Sequence, residues 1–394
     1  RIQSSLRPLR SNRFTLSIYF GRNMARRYQS LCTQLFNQFQ APLMRAEFER
    51  SKKGWELKSI NTIAAHSIPD NHHQFVLQAI ADYFKGKHRV KRKNPPRYDL
   101  AILHEPGEVG APTDQRGLKK FAQAAEKLGM STTLITRDDY SRVAEFDALF
   151  IRATTRVNHY TYRFARRASA EGLVVIDDPH SIIRCSNKVF LAEGLARLKI
   201  PTPATLIVHK DTVDTMIPEL GLPCVLKEPD SAFSRGVYKA ETSAELNRLT
   251  KTLFEQSDLL VAQAFVPTDF DWRIGILDGQ PLYACRYYMA KRHWQIVKHS
   301  DKGGKPIEGD FDALTIDETP KQVIRTALRA ARMIGNGLYG VDLKQSGKRV
   351  YVIEVNDNPS IETRVEDKIL GDELYTRIMQ IFLQRIEQRK QATA

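Results

Sequence analysis

The sequence predicts a mixed fold, in which an α/β part with a parallel sheet is followed by an α+β part. Three observations predict it. Strand-like and helix-like segments alternate between residues 98 and 180, which is typical of βαβ units. After residue 180 several strands follow one another directly, which indicates two α+β lobes. Residues 14–84 have an apolar pattern of their own, which predicts a small additional α/β domain.

The N-terminal domain is expected after a frayed segment at residues 1–13. Its predicted elements are a strand at 14–20, a helix at 23–39, strands at 42–50 and 55–60 joined by the turn SKKG, and a helix at 71–84 with Asp70 as its N-cap. The basic segment KGKHRVKRKNPPR, residues 85–97, ends in two prolines and predicts an interdomain linker. A contact of this linker with an anionic partner stays open as a second role.

The α/β part, residues 98–180, is expected to form a parallel, doubly wound sheet. Its predicted elements are the strand YDLAILHEP, a helix at 115–128, strands at 132–135 and 148–151, a helix at 159–170 and the strand LVVI. The segment contains no GxGxxG, so the usual dinucleotide-binding fingerprint is absent.

The α+β part is expected to comprise a central lobe at residues 181–262 and a C-terminal lobe at residues 263–388, with a tail at 389–394. Helices are predicted at 187–198, 244–254 and 320–333, and the remaining apolar runs predict strands.

Composition restricts the function classes. Lysine and arginine number 60 against 45 acidic residues, a net charge of +15. This excess favours an anionic partner, such as a nucleotide, an acidic peptide, a nucleic acid or a membrane surface, although a solvated basic surface is the plain alternative. No apolar run approaches the roughly 18–20 residues of a membrane span. The four cysteines are scattered without a CxxC pair, which predicts free thiols, no zinc site and a cytoplasmic setting.

A candidate metal site lies near the C-terminal end. Asp342 is in GVDLK, and Glu354 and Asn356 are in the following strand-like run YVIEVNDNP. Residues two apart on a strand point to the same side, and a hairpin would bring Asp342 alongside them. Two carboxylates and an amide oxygen are ligands that suit Mg²⁺ bound with nucleotide phosphates. A strand with one polar, solvent-facing side is the alternative interpretation.

Two lysines and a loop strengthen this interpretation when they are taken together. Lys188 opens a helix and Lys227 ends the strand PCVL, so each can place an ammonium group near phosphate oxygens. The small-residue loop SAFSRG, residues 231–236, can direct backbone N–H groups at phosphates. The apolar run VAQAFV offers an edge for an adenine ring, and it is equally typical of a buried strand.

These segments occur in the order found in ATP-grasp enzymes, and the chain resembles the RimK-type ligases from about residue 98 to residue 365. The resemblance is carried by FIRATTR, RCSNKVFLAEGLARLKIPTPAT, CVLKEPDSAFSRGV, QAFVPTDFDWRIGILDG, GVDLK and VIEVNDNPSIE. It implies an ATP-grasp fold, with a parallel-sheet pre-ATP-grasp domain and two α+β lobes. Residues 1–95 resemble the extra N-terminal domain of a RimK-like subgroup.

The resemblance also implies roles for individual residues. Lys188 and Lys227 would contact the phosphates of ATP, and Arg273 and Arg286 would hold the phosphates or an acyl phosphate. The adenine hinge would consist of Gln263, Ala264 and Phe265, and Asp271 would approach the ribose. Mg²⁺, or Mn²⁺ in its place, would be bound by Asp342, Glu354 and Asn356. Two departures from the family are visible. The loop SAFSRG lacks the usual glycine pair, and Trp294-Gln295-Ile296 replaces the family's Arg-Ser-Asn.

The function implied is an ATP-dependent carboxylate–amine ligase that works through an acyl phosphate and adds a glutamate-like amino acid to a peptide or small acidic acceptor. Arg152 and Arg156, at the end of a predicted parallel strand, are candidates for holding the acceptor carboxylate. An ATP-binding regulatory or nucleic-acid-binding protein and an ATP-grasp kinase are the alternatives. Nucleic acid is the less favoured partner, because no RNP, KH or zinc-finger pattern is present. Assembly into a homo-oligomer stays open.

Overall fold

The computed structural model describes residues 2–6, 9, 11–52, 54–84, 96–230, 236–290, 293–298 and 307–393. The chain divides into two compact units, unit 1 at residues 1–95 and unit 2 at residues 96–394. The predicted linker at 85–97 lies outside the described residues, except for its last two positions.

Unit 1 is a three-stranded antiparallel sheet with helices. Its elements are α1 (Ile2–Leu6), β1 (Arg13–Tyr19), α2 (Gln29–Phe39), β2 (Leu43–Ser51), β3 (Gly54–Thr62) and α3 (His73–Phe84), in the sheet order β1-β2-β3. Alternate residues of β1 and β2, such as Leu16 and Phe48, are buried together with Leu31 of α2. Leu6 of α1 is fully buried in the same core, so residues 2–6 form a packed helix where a frayed segment was predicted.

Unit 2 begins with the parallel sheet that the sequence predicts. Its elements are β4 (Tyr98–Leu103), α4 (Gln115–Lys127), β5 (Met130–Ile135), β6 (Ala148–Ile151), α5 (Tyr160–Ala170) and β7 (Val174–Ile176). The order is β5-β4-β6-β7, and all three pairings are parallel. The order reverses at β4, so β4 and β6 form the switch point, where ligands of open α/β sheets usually lie. We refer to this part as the parallel-sheet domain.

The rest of unit 2 contains antiparallel sheets and helices. The elements are α6 (Pro179–Ser186), α7 (Lys188–Arg197), β8 (Thr205–Val208), α8 (Met216–Leu220), β9 (Cys224–Lys227), β10 (Val237–Ala240), α9 (Ser243–Leu253), β11 (Leu260–Ala264), β12 (Phe270–Leu277), β13 (Gln280–Tyr288), β14 (Val297–Lys298), β15 (Ile307–Glu308), β16 (Phe311–Leu314), α10 (Lys321–Ile334), β17 (Leu338–Ser346), β18 (Arg349–Asn356) and α11 (Asp372–Thr393). The four-stranded lobe has the order β10-β9-β11-β8, the five-stranded lobe has the order β16-β13-β12-β17-β18, and β14 and β15 form a separate antiparallel pair.

The hydrophobic cores divide unit 2 differently from the predicted lobes. Leu191 and Leu195 of α7 pack in one core with Ile274, Val341 and α10, so α7 belongs with the five-stranded lobe. Helix α11 packs against α4 and the parallel sheet, and it continues to Thr393 where a tail was predicted. Within the described ranges, no helix has both the length and the apolar character needed to cross a membrane.

Candidate active site

The hairpin of β17 and β18 brings the predicted metal ligands together. Asp342 lies directly opposite Glu354, and Gly340 lies opposite Asn356. A β-bulge follows Asp342, because Ile353 is an extra residue between the pairs Asp342–Glu354 and Leu343–Val352. In a regular register continued from Leu343–Val352, Ile353 would pair with Asp342, and Glu354 would pair with Val341 and face the core. The bulge therefore places both carboxylates on the same face of the sheet.

Asp342 is held by two neighbours. Arg273 on β12 donates from Nε and Nη2 to the two oxygens of Asp342, at 2.7 and 2.8 Å. Asn356 Nδ2 donates to Asp342 Oδ2 at 3.1 Å and to the Gly340 carbonyl at 3.3 Å. Burial alone would lower the pKa of Arg273, but the charge and hydrogen bonds of Asp342 raise that pKa well above its ordinary value. Arg273 is therefore a permanent cation at this site.

This arrangement fits an oxygen-only metal site. The Asn356 amide nitrogen is taken by Gly340 and Asp342, so the amide oxygen is the atom left to bind a cation. Glu354 is about one-third exposed, and Asp342 Oδ1 accepts only the Arg273 bond among the described contacts. No group of three His, Cys, Asp or Glu side chains suited to a metal ion occurs among the described residues. A cation here would need the amide and a ligand's phosphate oxygens to complete its shell.

Lys188 and Lys227 converge on this face from different elements. Lys188 is the first residue of α7, and its Nζ lies 3.5 Å from Glu354 Oε1. Lys227 ends β9 of the four-stranded lobe, and its Nζ donates to Gln263 Oε1 at 2.9 Å. Burial lowers the pKa of Lys227 to about 8, with the charge of Glu354 opposing the shift and Lys188 adding to it.

Lys344 is a third lysine at the site, and the sequence analysis gave it no role. Its Nζ donates to Asp271 at 2.6 Å and to Thr268 Oγ1 at 2.8 Å. Burial raises the pKa of Asp271, and the ammonium of Lys344 opposes that rise. Asp271, the predicted ribose contact, is therefore engaged by Lys344. The alternation of strand β17, which puts positions 342 and 344 on one face, is the sequence signal that could have identified Lys344.

The predicted adenine hinge lies at the end of β11. The Gln263 side chain bridges two strands, since it accepts from Lys227 and donates to Thr205 Oγ1 at 2.9 Å. The backbone N–H of Ala264 donates to the Ala204 carbonyl at 2.8 Å, and that of Phe265 donates to the Pro223 carbonyl at 3.2 Å. Both N–H groups therefore already donate to carbonyl groups of the protein. The predicted backbone contact with a base would have to be made by the carbonyl groups of these residues.

A cavity of about 310 Å³ opens beside this strand end, and its lining includes Phe265, Trp294, Thr268 and Lys344. The rings of Phe265 and Trp294 meet edge to face, with centroids 6.1 Å apart. Lys239 Nζ lies 4.9 Å from the Phe265 centroid. An aromatic wall next to lysines can stack a planar ring and hold an anionic group attached to it.

Arg286 does not join Arg273. It lies directly opposite Trp272 in the β12–β13 pair, whereas Arg273 lies opposite Cys285, so the two arginines point to opposite faces of the sheet. Arg286 pairs with Asp312 at 2.5 Å and covers the Phe270 ring. The predicted phosphate contact by Arg286 is therefore wrong. Tyr287 occupies the side of Arg273 instead, with the guanidinium carbon 5.2 Å from its ring centroid.

Arg152 is not available for an acceptor either. Its side chain is 1% exposed, and its guanidinium donates to Thr113 Oγ1, Asn358 Oδ1 and the carbonyls of Pro112 and Pro359, at 2.6 to 2.8 Å. These bonds use four of its five N–H donors. Arg156 differs, because it is exposed and so keeps the acceptor role as a hypothesis.

Two buried carboxyl groups near Arg152 were also missed. Asp177 is fully buried at the end of β7, and Asp357 is 7% exposed directly after Asn356. Burial and the neighbouring Asp357 raise the pKa of Asp177 well above its ordinary value, and burial raises that of Asp357 to about 7. Sequence pattern gives no warning of buried aspartates, because each follows an apolar strand in the way an ordinary surface turn does.

The predicted phosphate loop is described only at its base. Residues 231–235 lie outside the described residues, and Gly236 closes the loop by accepting a hydrogen bond from Glu228 N–H at 2.9 Å. The same base is tied to α7, since Lys188 N–H donates to the Pro229 carbonyl at 2.9 Å. The loop therefore starts beside Lys188.

Comparison with known families gives two matches. Residues 1–79 match the model of the RimK-like ATP-grasp N-terminal domain. Residues 185–381, half of the chain, match that of the RimK-like ATP-grasp domain. The second match contains the three lysines and the candidate metal ligands.

Individual relatives agree with these matches. A probable alpha-L-glutamate ligase of Thioalkalivibrio sulfidiphilus is 25% identical over 55% of this chain and 70% of its own length. The alpha-aminoadipate–LysW ligase LysX of Saccharolobus solfataricus is 29% identical over 49% of this chain and 69% of its own. Among solved structures, the D-alanine–D-alanine ligase of Bacillus anthracis superposes with a TM-score of 0.56 over 75% of this chain and 99% of its own, at 16% identity. That likeness shows the ATP-grasp fold.

Proposed function

This chain belongs to the RimK-like ATP-grasp family and is a carboxylate–amine ligase, and from that premise we propose that it joins a glutamate-like amino acid to a peptide or small acidic acceptor through an acyl phosphate. One observation carries the proposal. Lys188 lies 3.5 Å from Glu354, and Lys227 and Lys344 lie near the face that carries the pair Asp342–Glu354, a charge pattern that suits a nucleoside triphosphate bound with a divalent cation.

The proposed reaction has two steps, and the charges at the site are suited to both. A substrate carboxylate attacks the γ-phosphate of ATP, which forms the acyl phosphate and releases ADP. An amine then attacks the acyl carbon, forms the amide and releases phosphate. No covalent enzyme intermediate is needed, so the chain contributes positioning and charge neutralisation.

Each part of the cleft has a proposed role. Lys188 and Lys227 neutralise the phosphates, and Arg273 orients Asp342. Mg²⁺, bound by Asp342, Glu354 and Asn356, would supply further neutralisation of the phosphate oxygens. Gln263 and the aromatic wall at Phe265 receive the base. Mn²⁺ has the same ligand preferences and is expected to substitute.

The experiment is a screen of amino acids and short acidic peptides for ATP-dependent release of phosphate. Repeating the positive reactions with hydroxylamine in place of the amine tests the intermediate. A ligase that forms an acyl phosphate yields a hydroxamate, whereas a kinase acting on a hydroxyl acceptor does not. Phosphate release without any hydroxamate would refute the acyl-phosphate step.

We further propose that unit 1 recruits the anionic acceptor. Residues 1–95 have 18 of the chain's 60 lysine and arginine residues but only 5 of its 45 acidic residues. The net charge of +15 is therefore concentrated in a quarter of the sequence, and such a field raises the local concentration of anions. The effect weakens with salt, because the Debye length is about 8 Å at physiological ionic strength.

A truncated chain starting at Pro96 tests this role, since unit 2 is compact by itself. It is expected to keep nucleotide binding and to lose or broaden amide formation. In the full-length chain, added salt should raise the Michaelis constant for an acidic peptide more than that for ATP. Full and equally selective activity of the truncated chain would refute the proposal.

A further inference from the structure

The parallel-sheet domain is fastened to the segment that follows the candidate metal ligands. Arg152 comes directly after β6, and its backbone N–H donates to the Leu103 carbonyl at the end of β4, at 2.7 Å. Its guanidinium reaches Asn358 Oδ1 at 2.6 Å and the Pro359 carbonyl at 2.7 Å. Asn358 Nδ2 returns a bond to the Ala153 carbonyl at 2.7 Å. The two segments therefore hold each other by bonds in both directions.

Pro112 and Thr113 complete this anchor. The Pro112 carbonyl accepts from Arg152 Nη2 at 2.6 Å and from the Ile361 backbone N–H at 2.8 Å. Thr113 Oγ1 accepts from Arg152 Nε at 2.8 Å. The loop after β4 thus supports Arg152 and the 358–361 segment at once.

The 358–361 segment in turn contacts the metal hairpin. A Cβ built on Gly340 would lie 2.8 Å from Pro359 Cβ, so Pro359 packs directly over Gly340. Gly340 is the strand partner of Asn356, and its carbonyl accepts the Asn356 amide. That amide also bonds Asp342. A displacement of Pro359 would therefore change the direction of the Asn356 oxygen.

The chemistry of Arg152 indicates more than packing. Burial of a guanidinium that is 1% exposed is costly because it removes the charge from water, and among the described contacts no carboxylate lies within ion-pair distance, although the charge of Asp177 acts from farther away. A leucine or methionine would fill the same space without that cost. What an apolar side chain cannot do is fix four acceptors on three segments in one geometry.

We propose that Arg152, through Asn358 and Pro359, is a positioning residue that sets the orientation of Asn356 and Asp342 for the divalent cation. The inference rests on the metal site of the proposed function. It implies that a ligand at the carboxyl edge of the parallel sheet and the cation on the hairpin are held by one rigid connection.

The test measures Mn²⁺ binding rather than turnover. Free Mn²⁺ is followed by electron paramagnetic resonance as it is titrated into the full-length chain with a non-hydrolysable ATP analogue. Arg152→Lys keeps the positive charge but loses the planar set of guanidinium N–H donors. Asn358→Ala removes the Oδ1 acceptor of Arg152 and leaves Arg152 itself unchanged. Both variants are expected to bind Mn²⁺ about 10-fold more weakly, as is typical when a residue that orients a metal ligand is changed. Their affinity for the nucleotide without metal should stay that of the parent.

Arg385→Lys is the matched control. Arg385 also braces separate segments, since it donates to Asp278 and to the Asn336 carbonyl, both at 2.5 Å, but these lie at the turn between β12 and β13 and just before β17. It should lose thermal stability and keep the Mn²⁺ affinity. Parent-like Mn²⁺ affinity in Asn358→Ala and in a folded Arg152→Lys would overturn the inference alone. A parent chain that binds no Mn²⁺ would overturn the metal site and the inference together.

Discussion

The β17–β18 hairpin and the carboxyl edge of the parallel sheet both carry charged side chains, but these side chains differ in burial and in their partners. On the hairpin, Asp342 and Glu354 are partly exposed and face cations, Arg273 and Lys188. At the sheet edge, Arg152 is enclosed, and the hydrogen bonds that its guanidinium makes to described residues all go to neutral oxygens. A carboxylate that faces cations at a cleft can exchange them for a ligand, whereas an enclosed guanidinium would lose bonds it cannot replace. The hairpin is therefore suited to binding a ligand, and the sheet edge is suited to holding neighbouring segments of the protein in place.

The largest effect is expected from Glu354→Ala on the hairpin. It removes a carboxylate that no neighbour can replace, so ATP turnover should fall at least about 100-fold, beyond the range typical of residues outside the metal shell. The fold should persist, because Glu354 is one-third exposed. Turnover and thermal unfolding are measured together. Asp312→Ala is the control, since Asp312 pairs with Arg286, which points to the opposite face. Unchanged turnover in Glu354→Ala would refute the metal assignment.

Lys227→Met is expected to separate binding from stability. The variant loses a charge contact with phosphate, which is typically worth about 1.5–3 kcal/mol, so ATP should bind about 10- to 100-fold more weakly. The fold should become more stable near neutral pH, because Lys227 is buried and its pKa is lowered from 10.5 to about 8. Calorimetry gives the affinity and chemical denaturation gives the stability. Parent-like ATP affinity would remove Lys227 from the site.

The pH dependence of the parent chain follows with a definite sign. Above about pH 8 folded Lys227 loses its proton, while the unfolded chain keeps it up to the ordinary value of 10.5. The unfolded state then binds more protons, so this lysine's destabilising contribution, complete below pH 8, is relieved between pH 8 and 10.5. ATP affinity should fall over the same range. A Lys227→Met chain with the parent's pH profile of ATP affinity would contradict this.

The two arginines of the five-stranded lobe sharpen the comparison. Arg273→Lys should lower the catalytic efficiency about 10- to 100-fold, because lysine cannot hold both oxygens of Asp342. Arg286→Lys should change it less than about threefold, because its pair with Asp312 is partly exposed. Steady-state kinetics with saturating ATP compares them. Equal losses of catalytic efficiency in both variants would mean that the face of the sheet does not decide whether an arginine contributes to the reaction.

Two β-bulges decide which face of the sheet Glu354 and Arg286 occupy, and the sequence analysis predicted neither bulge. The spacing of Glu354 and Asn356 correctly placed both on one side of a strand, but the pairing of Glu354 with Asp342 needed the extra residue Ile353. In β12–β13 a comparable bulge at Gly275 moves Arg286 from opposite Asp271 to opposite Trp272. A register shift of one residue reverses the face, and a single sequence gives no sign of it.

The parallel sheet shows a similar limit to what can be predicted from the sequence. Its strands and their order of alternation with helices were predicted correctly, because apolar runs and helical periodicity are local. The orientation of the Arg152 side chain was not predicted, because it depends on hydrogen-bond acceptors in Thr113 and Asn358, which lie far away in the sequence. Long-range partners decide whether a charged residue at a strand end binds a ligand or fastens a loop.

The smallest effect is expected from Arg156, the remaining acceptor candidate. It is exposed just after β6, four positions beyond the enclosed Arg152, so its guanidinium can pair with a carboxylate without breaking internal bonds. Arg156→Ala should raise the Michaelis constant for an acidic acceptor about 10-fold, the loss expected for one charge-assisted bond, and leave that for ATP unchanged. Arg163→Ala, an exposed arginine within α5, is the matched control. If the two variants behave alike with every acidic acceptor, the carboxyl edge of the sheet only holds the structure, and the acceptor must be recognised elsewhere in the cleft.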